Sequence, residues 1–332
     1  YIGHAYGARW VKRFWTGRRL DDLHVRYDLD YWNRTGLLPR YDPDLKVPEG
    51  VLADMEKRWG GAREDILQNG FILPAFGTTG GREDIGPLPA WTARYLVSQD
   101  PRALRVTLGN GDQSGSCPCH FRDPKSDWII SLDEHPKYAF LAAGSQEPAP
   151  KQRDTAGTTY VMTHASRFSI DHAHQPSLAY VPYLVTGDYY YLEEMQFWAN
   201  WNMVWNNSAY RGFEKGLLSP SIQVRGIAWA LRQLVHAAAL SPDEDAGKKY
   251  FEAKLACNLQ YHNDFITGKL ATKPTPIGTF SIGVGSAYGK DEATRSRFLT
   301  TAGWMHNFLA WSLAHAADHG YGEAAAPRDY LM

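Results

Sequence analysis

The segment Tyr95-Leu96-Val97-Ser98-Gln99-Asp100 returns 88 residues later as Tyr183-Leu184-Val185-Thr186-Gly187-Asp188, with Leu104 and Leu192 completing the match. Such a repeat restricts the fold strongly, because each copy is a unit that must bury its apolar face against a neighbour. On both sides of the segment the pattern is helical. Leu88, Trp91, Thr92, Tyr95 and Leu96 keep i, i+3, i+4, i+7 spacing, which predicts an amphipathic helix over 87–98. Asp100 then stands at an N-cap with Pro101 at the first helical position. The second copy predicts a long helix after Asp188, with Leu192, Met195, Trp198, Ala199 and Trp205 on its apolar face.

A third hairpin spans the stretch from Gln223 to His262, where Asp243, 143 residues after Asp100, takes the capping position. Residues 303–320 supply a fourth first helix. The first helices are small and apolar nearly all round, as expected of helices buried on every side; the second helices are expected to face water. Ahead of the hairpins, "VPEGVLADMEKRWGG" reads as a helix with Val51, Leu52, Met55 and Trp59 on one face. Residues 4–20, aromatic and basic, suit another. Residues 1–75 are therefore expected to form an irregular arm or extra layer on a main domain of 76–332. That domain carries a long insert over 107–170, with a β-hairpin turning at Asp123-Pro124-Lys125 and a loosely patterned stretch at 144–159.

Composition excludes several functional classes. The 35 basic and 36 acidic residues leave no electrostatic footprint for nucleic acid, and no apolar run is long enough to span a membrane. Cys117 and Cys119 stand too close for an ordinary disulfide, and although His120 follows, the partner spacing of a metal site is missing. Neither metal nor cofactor is expected. The 12 Trp, 19 Tyr and 13 Phe fit a large aromatic core and equally suit sugar binding, where an aromatic face meets the C–H face of a pyranose. The chain opens on Tyr1 without a signal-peptide pattern, as a mature chain or a piece of a longer one would.

The repeated hairpins and their YLV[S/T]xDxxxL turn resemble, over about residues 80–320, the (α/α) toroid of carbohydrate-active enzymes: glycoside hydrolases, polysaccharide lyases and sugar epimerases. The fold class expected is thus mainly α, an (α/α) toroid or incomplete barrel of helical hairpins. The resemblance implies a substrate funnel at one end of the inner helices, often the N-terminal end, and a poly- or oligosaccharide substrate. A polymer substrate favours an exported protein.

Polar residues gather at that end of successive hairpins. Arg82, Glu83 and Asp84 precede the first, and Asp171, His172, His174 and Gln175 the second, with Tyr180 behind them. Gln223, Arg225 and Trp229 belong to the third, and His306 and Asn307 to the fourth. The insert adds His120, Arg122, Asp123, Asp133 and His135. Two chemistries fit. Hydrolysis needs two carboxyl groups about 5–9.5 Å apart; Glu83 and Asp84 are neighbours and do not face each other, so one of them, with Glu83 the expected acid, is paired with Asp123, Asp133 or Asp171. Elimination from a uronate needs a base, His172, His174 or Tyr180, with Arg82, Arg225 or Asn307 to neutralise the sugar carboxylate. A glycan-binding module without catalysis is the third reading. Glu83 and Asp84 would equally serve as ordinary carboxylates near a helix N-terminus.

Overall fold

A computed structural model describes residues 24–60, 68–78, 81–123, 125–138, 140–141, 160–161, 168–205, 208–218, 224–270 and 303–332. The helix expected over 4–20, the stretch 144–159, Pro124 and Gln223 lie outside them. The described residues are mainly helical, in ten helices: α1 Leu29–Thr35, α2 Glu49–Trp59, α3 Ala90–Ser98, α4 Pro101–Asp112, α5 Tyr180–Thr186, α6 Tyr189–Trp205, α7 Val224–Leu240, α8 Ala246–His262, α9 Gly303–Asp318 and α10 Ala325–Leu331. None is long and apolar enough to cross a membrane. They fall into two compact units. One takes Tyr1–Ile130, Leu141–Ser145 and Tyr160–Trp201; the other takes Ser131–Phe140, Gln146–Thr159 and Asn202–Met332.

In the first unit the repeated turn is reproduced bond for bond. Ser98 Oγ donates to Arg94 O and Thr186 Oγ1 to Pro182 O, both at 2.7 Å. Each hydroxyl then accepts from the backbone N–H of Asp100 or Asp188 at 3.1 Å. Asp100 caps α4 through Arg102 N (2.8 Å), and Asp188 caps α6 through Tyr190 N (3.1 Å). The residue between hydroxyl and cap is left-handed in both copies: Gln99 at φ 51° and Gly187 at φ 65°. Glycine takes that conformation without strain, whereas Gln99 is secured by its side chain, which bonds the backbone of Tyr27. Asp188→Ala is expected to cost about 1 kcal/mol, read as a lowered urea midpoint.

Packing follows the apolar spacing. Leu52, Met55 and Trp59 of α2 are buried, as are Trp91, Tyr95 and Leu96 of α3. The α2 helix lies on α4, where a Cβ at Gly109 would come within 2.3 Å of the Trp59 ring, so only glycine lets the two approach. Helix α3 starts three residues later than the pattern suggests, because Pro87 and Pro89 lead into it and Pro89 occupies the cap position. Helix α1, which the sequence pattern does not reveal, is capped by Asp28 on Tyr31 N.

Two expectations are corrected. Helix α6, a second helix, does not face water: every residue from Tyr191 to Val204 except Glu193 is buried. Its polar residues are absorbed by specific bonds, Asn200 Nδ2 donating to Ile130 O at 3.1 Å. The β-hairpin of the insert contracts to one antiparallel bridge, Arg122 with Ile129, around a turn in which Asp123 N donates to Trp128 O at 2.7 Å.

The second unit contains the third hairpin and α9. Lys248 Nζ of α8 donates to Ala238 O at 3.0 Å, which closes the α7–α8 hairpin. The cap of α8 is Asp245, bonded to Gly247 N at 2.6 Å, and not Asp243, because the Ser-Pro-Asp-Glu-Asp turn is two residues longer than its counterparts. Helix α7 is buried on all sides from Val224 to Ala238, as expected of a first helix. It runs parallel to α9. Going down both, the guanidinium of Arg225 lies over the Trp304 ring (5.3 Å), Trp229 packs on Phe308 (4.8 Å), and Ser312 Oγ donates to Ala228 O (2.7 Å). Last in line, His236 Nε2 meets His315 Nε2 at 3.1 Å.

Candidate functional site

The site residues of the first unit are held by two paired backbone segments. Phe76 N donates to Ser169 O (3.0 Å) and Ser169 N to Pro74 O (2.8 Å), so the segment before the first hairpin is bonded to the one before the second. Arg82 bolts them together. Its Nε pairs with Asp84 Oδ1 at 2.9 Å, one terminal nitrogen donates to Phe76 O at 2.9 Å, and the other to His174 O at 3.3 Å. Asp84 Oδ2 accepts from Leu73 N at 3.2 Å. Arg82 and Asp84 are both buried, so this pair shapes the site and does not face it. Arg82→Ala would strand a buried carboxylate, at an expected cost of about 3–5 kcal/mol. A loss below about 1 kcal/mol in chemical denaturation, the range of a surface pair, would show that the pair is not needed.

On this frame sits a dyad. Asp171 Oδ1 accepts from Ala173 N and His174 N at 2.8 Å each, a turn that folds the carboxylate back over its own chain. His174 Nδ1 lies 2.8 Å from both oxygens of that carboxylate. A carboxylate only accepts, so Nδ1 carries the proton, and in the neutral ring Nε2 is the basic nitrogen. The pair keeps contact with solvent, His174 at 13% and Asp171 at 27% of their side-chain surface. Gly77 passes close by; a Cβ there would stand 3.3 Å from Asp171 Oδ2. Gln175, buried, donates to His172 O at 2.9 Å and closes the turn.

A second group in the same unit lies along α6. His120 Nε2 meets Glu194 at 2.8 Å, and Arg122 meets Glu193 at 2.6 Å while its guanidinium covers Phe197 at 4.7 Å. Two adjacent carboxylates thus hold the Cys-Pro-Cys-His loop. Asp123 belongs to the turn, its Oδ1 accepting from Lys125 N at 2.7 Å. Beside this group, Phe76 lies parallel to Trp198, one helical turn from Glu194, with ring centroids 6.3 Å apart. Burial, and then the Glu194 charge, push the Cys117 and Cys119 thiols well up, so both stay protonated.

The remaining candidates are placed otherwise. Glu83 turns toward Arg94 (2.8 Å) and Arg58 (3.0 Å). Partial burial pushes its carboxyl up, but the two arginines outweigh that and hold it below its ordinary value. An acid catalyst needs the opposite shift. Tyr180 is buried and donates to Leu37 O, and burial drives its phenol upward, away from the role of a base. In the second unit Trp229 and His306 are buried, Trp229 in the α7–α9 core, whereas Asn307 is exposed and Trp304 keeps 49% of its surface open beside Arg225. Asp133 pairs with Lys254.

Glu194 is the residue that reading the sequence alone passes over. It stands four residues before Trp198 on the apolar face of α6, and a charge in register with that face was the available signal. No protein-family model, curated protein or solved structure matches the chain. What the site can do therefore rests on its own geometry.

Proposed function

We propose that this chain is a carbohydrate-active enzyme built on an (α/α) toroid, that its proton-transfer group is His174 oriented by Asp171, and that it acts base-first on an acidic polysaccharide. The observation that carries the reading is the contact of His174 Nδ1 with both oxygens of Asp171 at 2.8 Å. It fixes the tautomer and leaves Nε2 as the base, the same division of labour by which a buried aspartate serves a catalytic histidine elsewhere. In elimination, Nε2 takes the proton from C5 of a uronate, the C4–O bond breaks, and the leaving oxygen is protonated. An epimerase would return a proton to the other face of C5.

Within the second unit, the parallel helices α7 and α9 support a helical-hairpin architecture of the toroid kind. Hydrolysis is the second reading. It draws on Asp171, which keeps more of its surface open than Asp84, and it lacks an evident acid once Glu83 is held ionised.

Incubation with acidic polysaccharides is expected to raise the ultraviolet absorbance of an unsaturated uronate. Reducing ends released from a neutral glucan without that absorbance would replace elimination by hydrolysis. No product from either class would overturn the enzyme.

A further inference from the structure

Gly77 stands at the open edge of the dyad. It is exposed and lies in a short helical turn, Phe76–Thr78. A Cβ built on it would have one heavy atom within 4 Å among the described residues, its chain neighbours aside: Asp171 Oδ2, at 3.3 Å. The chain thus passes close to that oxygen without covering it, as only a residue lacking a side chain can. The approach is held firmly. Phe76 N donates to Ser169 O, two residues before Asp171, and Arg82 donates to both Phe76 O and His174 O, so glycine and dyad are fixed to one frame.

The two oxygens of Asp171 are used unequally. Oδ1 accepts from Ala173 N, His174 N and His174 Nδ1, whereas Oδ2 accepts from Nδ1 alone among the described residues. A carboxylate offers about four lone-pair sites over its two oxygens, so Oδ2 keeps capacity for a further donor. The side chain keeps 27% of its surface open, so that donor reaches it from solvent. The charge of Asp171 selects the donor: a sugar carboxylate would meet like charge here, while a hydroxyl donates and adds none. The imidazole lies between Oδ2 and the basic Nε2. The hydroxyl therefore belongs to a part of the substrate that runs past the edge of the dyad, and not to the carbon that loses its proton.

We propose that the space at Gly77 is a subsite of the dyad in which Asp171 Oδ2 accepts a hydrogen bond from a sugar hydroxyl of the substrate, and that Gly77 is specificity-determining because a side chain there would fill the room the hydroxyl needs. The subsite rests on the base-first reading above and adds to it where a hydroxyl-bearing ring is held.

The test is steady-state kinetics on oligogalacturonate, oligomannuronate and oligoglucuronate, followed by single-deoxy analogues of the one that is turned over. One such analogue is expected to raise KM about 10-fold or more, the range of a hydrogen bond to a charged group. Gly77 is not among the residues at positive φ, so alanine fits its backbone. Gly77→Ala is expected to raise KM for the parent oligouronate similarly and to add little for that analogue, because both changes remove the same bond. A Gly77→Ala protein with the parent's KM, or one whose loss falls on kcat alone, overturns the subsite and leaves the base-first reading standing. If that variant shows no cooperative unfolding transition, the analogue series on the unaltered protein decides, and a series in which no hydroxyl matters overturns the subsite. Failure of every oligouronate to turn over overturns the base-first reading and the subsite together.

Discussion

Replacing His174 with alanine is expected to lower turnover on an acidic polysaccharide by about 10²–10⁴-fold, the range that a positioned base contributes, while the protein stays folded. Asp171 holds the ring at Nδ1. Asp171 keeps its bonds to Ala173 N and to the backbone of residue 174 when the imidazole is removed, so the turn survives the substitution. The loss should fall on kcat, because a base works in the transition state and contributes little to ground-state binding. Asp171→Asn separates positioning from chemistry. An amide can present its NH₂ to Nδ1 and so stabilise the wrong tautomer, which predicts reduced kcat with KM close to the parent's. Retention of more than about a tenth of the activity by His174→Ala, far outside that range, would remove His174 from the role of base and return Asp171 and hydrolysis to the front.

The parts of this molecule that were legible in the sequence are those whose physics is local. Asp100 and Asp188 cap helices through an N–H two residues ahead, and Ser98 and Thr186 bond a carbonyl four residues back, so the repeat could be seen as a spacing. Asp171 and His174 are three residues apart and appeared as a cluster for the same reason. Glu83 shows the limit. Its neighbours Arg58 and Arg94 lie 25 and 11 residues away, and only the folded chain brings them together to turn a candidate acid into an ionised structural partner. His120 and Glu194 are 74 residues apart, and Arg82 reaches the His174 carbonyl across 92. Helix α6 misled for a different reason. Its amides and glutamates look like a water-facing side, yet Asn200 and Glu194 find partners inside, so polarity by itself did not report exposure.

Acidification is expected to destabilise the second unit well before its carboxylates titrate. Four of its histidines are held neutral: His236 and His315 by burial and by neighbouring cationic groups, and His262 and His319 by burial, which brings each down to about 4. Arg232 faces His236 and His315 from α7, and His319 adds to the cost from α9, so the first proton taken up meets a like charge. His236 and His315 can share one proton between their Nε2 atoms, one ring donating and the other accepting. Neither ring nitrogen of His262 has a hydrogen-bond partner among the described residues, so nothing there stabilises an imidazolium. In the unfolded chain these rings titrate at about 6.5. A folded-state value below the unfolded one means that the unfolded chain binds more protons between the two. The stability they contribute is therefore complete above about 6.5 and is lost as pH falls, at about 1.4 kcal/mol per pH unit for each ring. His120, raised by Glu194, has the opposite sign: its contribution stands at low pH and is lost as pH rises through its folded value. Urea midpoints should thus drop steeply between about pH 6.5 and about pH 5, with the loss centred on α7, α8 and α9 in hydrogen exchange. His262→Leu removes one of the four protons and should flatten the slope by about 1.4 kcal/mol per pH unit. A midpoint that stays level across that interval would mean that water or a counterion reaches these rings and that the α7–α9 contact is not closed in solution.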